Sequence, residues 1–153
     1  IKIMIVRPGH IYGPSAKDSD NRVSSFFMTE AIAGRDIVMK STGSQLRSYC
    51  YSLDCASAIL SVLLSGESGQ AYNVSNPNSI ITIKQMAEIV SRVGNVKLTM
   101  AVPSNQDIKQ TNPMQNASLR SDKLEGLGWQ GLFSAEVGFQ HTFSILKELS
   151  SEK

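Results

Sequence analysis

Three cationic side chains stand where they could meet an anion. Arg47, in "STGSQLRSYCYSLD", follows a small-residue turn and opens an alternating run that reads as a strand. A guanidinium held at a strand entrance can fork onto a phosphate or carboxylate, which Lys does only as a point charge. His10, in "RPGHIYGP", lies just beyond the carboxyl end of the apolar run Ile3-Met4-Ile5-Val6. That is the end at which open α/β sheets bind ligands. Arg22 stands where the first helix begins and could add charge to an anion site there. Each also has a plainer reading: a surface ion pair for Arg47, worth about 0–1 kcal/mol, a loop hydrogen bond for His10, and a solvated side chain for Arg22.

No complete catalytic apparatus can be assembled around these residues. The chain has no Gly-x-Gly-x-x-Gly, Walker loop, Gly-x-Ser-x-Gly elbow or His-Glu-x-x-His. Its second histidine, His141, falls within an amphipathic helix and reads as a packing or surface residue. Cys50 and Cys55 make neither a disulfide framework nor a zinc site, and Cys50 lies in an apolar run where packing is its role. No metal site and no catalytic residue is therefore assigned.

The elements that must position the three cations follow from periodicity and punctuation. Residues 2–7 read as a buried strand and 8–20 as a loop rich in Gly, Pro, Ser and Asp. Val23, Phe26, Phe27, Ala31 and Ile32 recur at helical spacing, with Gly34 as the stop. Ile37 to Met39 form a short strand, Ser41 to Ser44 a turn, and Leu46 to Ser52 a second strand. A helix runs from about Leu53 to Leu64, and Ala71 to Val74 form another strand. Asn76 to Ser79 turn the chain, and Thr82 with Gln85 three residues on makes a capping box for a helix ending at Gly94. Val96 to Ala101 read as a strand and 103–118 as a long polar loop. A short helix spans Ser121 to Leu127. Ser134 caps a last helix, with Val137, His141, Ile145 and Leu149 spaced for one face. This alternation argues for an α/β fold with parallel pairing.

Composition narrows the partners. The 153 residues are one domain's worth of chain, 41% hydrophobic and 18% charged. A net charge of +2, no basic block and 7% aromatics argue against nucleic acid. No apolar stretch is long enough to span a membrane, and no signal peptide is recognised, so a cytoplasmic setting is expected. The chain opens at Ile1 directly in a strand, which suggests the C-terminal piece of something longer.

Five blocks taken in order are far more specific than any one residue. "RPGHIYGP", "NRVSSFFMTEAIAGRDIVM", "GSQLRSYCYSLDCASAIL", "GQAYNVSNPNSIITIKQMAEIV" and "SDKLEGLGW" resemble the C-terminal half of the extended short-chain dehydrogenase/reductases. Within that family they are similar to the nucleotide-sugar epimerases, 4,6-dehydratases and UDP-glucuronate decarboxylases. The resemblance implies the last strands of a Rossmann-type parallel sheet interwoven with a small α/β substrate-binding domain. Residues 1–14 and 70–95 would belong to the NAD(P)-binding sheet, and 15–69 and 96–153 to the nucleotide-sugar domain. The family's Gly-rich NAD(P) loop and Tyr-x-x-x-Lys precede the strand that opens this chain. The chain alone would then be inactive, with exposed sheet strands that make it prone to self-association.

The same resemblance implies roles for single residues. Pro8 and Gly9 would border the nicotinamide of NAD or NADP. His10 stands where the family more often has Asn, near the phosphates or the sugar, and adds a possible charge. Arg47 would grip the diphosphate of a nucleotide sugar. Val23 and Ser24, with Arg22 beside them, would touch the nucleotide, and the backbone of the Ile37–Met39 strand, at Val38 and Met39, would read the base edge. Asp54 matches a position that is more a helix cap than a ligand, and Asn73 one that is structural. The family's late Arg is replaced by Ser104, three residues before Asp107, with Lys109 a possible substitute. The parent protein is expected to be a homodimer. Two other readings remain open: a non-catalytic nucleotide-sugar binding or regulatory module, and a reductase of a non-nucleotide substrate.

Overall fold

The computed structural model describes residues 1–14, 20–102 and 113–152. Strand β1 (Ile5–Pro8) pairs in parallel with β5 (Ala71–Val74), and β2 (His10–Tyr12) in parallel with β4 (Leu46–Tyr51). Strand β3 (Ile37–Met39) pairs in parallel with β7 (Leu98–Met100). Two short strands complete the ladders on β4: β6 (Ile80–Thr82), antiparallel, and β8 (Asn116–Ala117), parallel. Among the described residues five α-helices are interspersed: α1 (Val23–Ile32), α2 (Ser52–Ser65), α3 (Ile83–Gly94), α4 (Asp122–Glu125) and α5 (Ala135–Ser151). The α/β class and the parallel pairing expected from the sequence are both present. The expected loop 8–20 differs, because its first residues form β2.

Two apolar cores hold these elements. One gathers Tyr12, Tyr49 and Tyr51 with Phe27 and Met28 of α1, Met86 and Val90 of α3, and Phe139 and Phe143 of α5. The other gathers Cys50, Tyr72 and Val74 with Cys55, Ala58 and Val62 of α2, Leu124 and Trp129. α2 packs with β1 and β5, while α3 packs with α1 and α5. The buried strand expected over 2–7 begins only at Ile5, and Ile3 and Ile5 are exposed; among the described residues β1 pairs with β5 alone.

Local chemistry explains the helix ends. Gly34, at φ +69°, ends α1, and its N–H donates to the Ala31 carbonyl. α3 ends differently from expectation. Asn95, at φ 52°, takes the left-handed position, and Gly94 serves packing instead. A Cβ on Gly94 would lie 2.7 Å from the Ala31 Cβ, so its absence lets α1 and α3 close up. The buried face of α5 is Gly138, Phe139, Thr142 and Phe143. The expected stripe is displaced, with Val137, His141 and Leu149 exposed, because Gly138 and Thr142 supply close contact without looking apolar.

The capping box forms as expected. Thr82 Oγ1 accepts the Gln85 N–H at 3.1 Å, and Gln85 Oε1 accepts the Thr82 N–H at 2.8 Å. The Ile83 and Lys84 amides donate to the carbonyls of Gln45 and Gly43, so α3 is tied to the strand that carries Arg47. Thr82→Ala is expected to cost about 1 kcal/mol of stability in urea unfolding, with Thr82→Ser near wild type. No helix among the described residues is long and apolar enough to cross a membrane.

Candidate functional site

The site is built by a change of strand partner at Gly9. β1 follows β5 as far as Pro8 opposite Val74, and the Gly9 N–H then donates to the Val74 carbonyl at 3.0 Å. One residue on, the chain joins β4 instead, with His10 opposite Tyr49 and Tyr12 opposite Tyr51. A Cβ on Gly9 would lie 2.8 Å from the Ser48 carbonyl oxygen, so the crossover needs glycine.

Alternation along β2 and β4 then sorts the side chains. The His10 ring lies 5.8 Å from that of Tyr49, and Tyr12 meets both Tyr49 and Tyr51. Arg47, two residues before Tyr49, shares that face. Ile11 and Cys50 point the other way, into the second core.

Arg47 is 5% exposed. Its guanidinium donates to the carbonyls of Leu46 at 2.8 Å and Met114 at 3.0 Å. These bonds use two of the five donors a guanidinium carries. Among the described residues no carboxylate pairs with it. The surface ion pair is thereby replaced by a buried cation with donors to spare, a setting that costs stability unless an anion meets it.

Arg22 is held differently. Asp20 accepts from its Nε at 2.9 Å and its Nη2 at 2.6 Å, while its Nη1 donates to the Ile11 carbonyl, next to His10. The Arg22 guanidinium and the Ser25 hydroxyl hold the Asp20 carboxyl far below the usual carboxylate range. At His10 burial lowers the imidazole's proton affinity, and the charges of Arg47 and then Arg22 lower it further. Sequence reasoning brought His10, Arg22 and Arg47 forward separately; the fold brings their charges to bear on one another.

The other proposed contacts divide. Val23 is exposed and Ser24 buried at the start of α1. Val38 and Met39 lie in the separate β3–β7 ladder, Val38 exposed and Met39 buried, and the Met39 carbonyl already accepts the Ala101 N–H at 2.9 Å. Pro8 is exposed, and Gly9 has given its N–H to Val74. Ser104, Asp107 and Lys109 lie outside the described residues. A cavity of about 810 Å³ opens between α1 and α5, lined in part by Tyr12, Arg22, Ser24 and Phe139 but not by His10 or Arg47. Arg22 thus faces that hollow, while His10 and Arg47 lie outside its lining.

Several polar groups serve structure. Asp54 is 1% exposed and is not a helix cap. It accepts the N–H groups of Leu132 and Phe133 and the amide of Asn76. Asn73 donates to the Arg120 carbonyl at 3.0 Å. His141 bonds the Tyr51 hydroxyl through Nδ1 at 2.9 Å, and Ser48 Oγ accepts the Leu119 N–H at 2.7 Å. Burial pushes the Cys50 thiol up to about 12 and raises that of Cys55, so neither is a ready nucleophile. No cluster of metal-ligating side chains occurs among the described residues.

Solved structures share this fold, which is of the Rossmann α/β type. UDP-glucose 4-epimerase from Thermotoga maritima superposes with a TM-score of 0.81 at 19% identity, over 98% of this chain and 47% of its own. UDP-glucuronic acid 4-epimerase from Bacillus cereus, in complex with UDP-glucuronic acid and NAD, gives a TM-score of 0.80 at 16% identity, over 97% and 46%. Residues 1–75 match the NAD dependent epimerase/dehydratase family. UDP-glucuronic acid decarboxylase 3 of Arabidopsis thaliana is 29% identical over 130 residues, covering 85% of this chain and 36% of its own. dTDP-D-glucose 4,6-dehydratase of Bos taurus is 23% identical over 148 residues, covering 95% and 41%. The chain thus spans well under half the length of these relatives.

Proposed function

We propose that this chain is the substrate-holding part of an NAD(P)-dependent enzyme that epimerises, dehydrates or decarboxylates a nucleotide-diphosphate sugar. The observation that carries this reading is Arg47: a buried guanidinium with unused donors, no carboxylate partner among the described residues, and His10 on the same face. A diphosphate supplies the missing counter-charge and matches the fork of a guanidinium. Arg22 adds a second cation whose orientation is fixed by Asp20. A reductase of an uncharged non-nucleotide substrate would leave the Arg47 charge unanswered.

The residues present fit the edge of a nicotinamide site and no more. Pro8 offers an exposed ring and Gly9 a bare Cα, and neither has an N–H to give. When bound, the nicotinamide would take a hydride from a sugar carbon. This chain's own contribution is to anchor the unreacting diphosphate, so that the variable sugar is presented in one orientation. The chain alone is proposed to be inactive, and turnover by it with NAD⁺ would favour a complete enzyme.

Titration calorimetry with UDP-glucose tests the grip. Arg47→Ala is expected to weaken binding about 30-fold, as loss of hydrogen bonds from a charged donor does, with Arg47→Lys intermediate. Unchanged affinity in Arg47→Ala, its fold verified by circular dichroism, would overturn the reading.

A further inference from the structure

We infer that His10 is the third cation of this grip, an imidazole that becomes charged when a diphosphate is seated, so that nucleotide-sugar binding carries a proton into the protein. The inference rests on the proposed diphosphate site and adds to it a linkage between ligand and pH.

The geometry comes first. His10 opens β2 opposite Tyr49, on the β4 face that also carries Arg47, and its neighbour's carbonyl holds the Arg22 guanidinium. The charges of both guanidiniums are therefore felt at His10. Partial desolvation lowers the proton affinity of the imidazole, and the charges of Arg47 and Arg22 act in the same direction. The remaining titratable groups around it do not reverse this. Tyr49 on β4 is pushed up to about 12, mainly by burial, and Tyr12 on β2 is raised further, so both hydroxyls keep their protons at neutral pH. Asp20 is ionised, but its charge is committed to Arg22 and Ser25. Among the described residues no carboxylate contributes to the His10 shift.

A dianionic diphosphate placed against Arg47 inverts that field. It cancels the guanidinium charge that discouraged protonation and favours a third positive group beside it. The bound-state pKa then exceeds the free-state value. By linkage, binding takes up a proton, and affinity rises as pH falls through the window between the two values. An Asn at this position would donate a hydrogen bond at every pH and show no such slope.

UDP-glucose is the suitable probe, because its diphosphate diester carries no group that titrates near neutrality. Calorimetry on the 153-residue chain, in two buffers of different ionisation enthalpy, reads the proton directly. The expected result is net uptake, with binding about fivefold tighter at pH 5.5 than at pH 8. His10→Asn should bind without uptake or pH slope, with His10→Gln as a second variant should the first fold poorly. His141→Asn should keep the uptake, since His141 is the only other histidine. The His10 ring-proton resonance should titrate at higher pH with UDP-glucose than without. Arg47-dependent binding with no proton uptake, or uptake that survives in both His10 variants, would overturn the inference and leave the diphosphate reading standing. Absence of UDP-glucose binding at every pH, or binding indifferent to Arg47, would overturn both.

Discussion

Asp54→Ala is expected to destabilise the chain by about 3–5 kcal/mol in urea unfolding. The carboxyl group is 1% exposed and accepts three hydrogen bonds. Two come from backbone amides of Leu132 and Phe133, on the segment leading into α5, at 2.9 and 3.2 Å. The third comes from Asn76 Nδ2 at 2.9 Å, which also donates to the Phe133 carbonyl at 2.8 Å. Alanine would orphan all three donors in a place with little room for water, since a Cβ on Gly131 would already fall 2.4 Å from the Asn76 side chain. Each stranded buried donor costs about 1–3 kcal/mol, and partial relaxation keeps the sum below the simple total. Asp54→Asn keeps one acceptor oxygen and should lose about half as much. A loss under about 1 kcal/mol in the alanine variant would show that the tether is not what fixes this segment.

Gly9→Ala is expected to cost about 3 kcal/mol, from overpacking against backbone rather than side chain. The new methyl would lie 2.8 Å from the Ser48 carbonyl oxygen, on the buried strand that also carries Arg47. β4 is paired along its length, so it cannot easily move aside, and His10 would be displaced from its place beside Tyr49. Gly13→Ala is the matched comparison. Its methyl would meet the Ser52 hydroxyl, which can rotate away, and the Ser52 Cβ at 2.9 Å, which cannot, so the cost should be smaller than at Gly9 but still about 1–2 kcal/mol. Equal stability of the two variants would remove the case for a forced crossover at Gly9. UDP-glucose affinity should fall with Gly9→Ala and hold with Gly13→Ala.

What the sequence made legible was local in origin. The capping box at Thr82 and Gln85, the stop at Gly34 and the strand Ile37–Met39 depend on residues a few positions apart, and all three are present. Strand β2 was hidden because three residues inside a Gly/Pro-rich stretch carry no period of their own; only β4 makes them a strand. Strand β6, between the expected turn at Asn76 to Ser79 and the cap at Thr82, went unread for the same reason. Asp54 was noticed by type but not by task, since its amide partners lie 78 and 79 residues away. Arg47 and His10 were each suspected from their settings. Their mutual influence is a product of the parallel β2–β4 register, which no spacing along the chain encodes.

Strand β4 has a consequence for how the protein would come apart. It is flanked by β2, β6 and β8, and all but its first residue are buried. Segments of this kind open only when the whole molecule does. The guanidinium they carry should therefore keep its orientation through any fraying of outer segments such as β1. Titrated with denaturant, nucleotide-sugar capacity and global structure should vanish at one midpoint, with no early step in which the ligand is shed from a still folded chain.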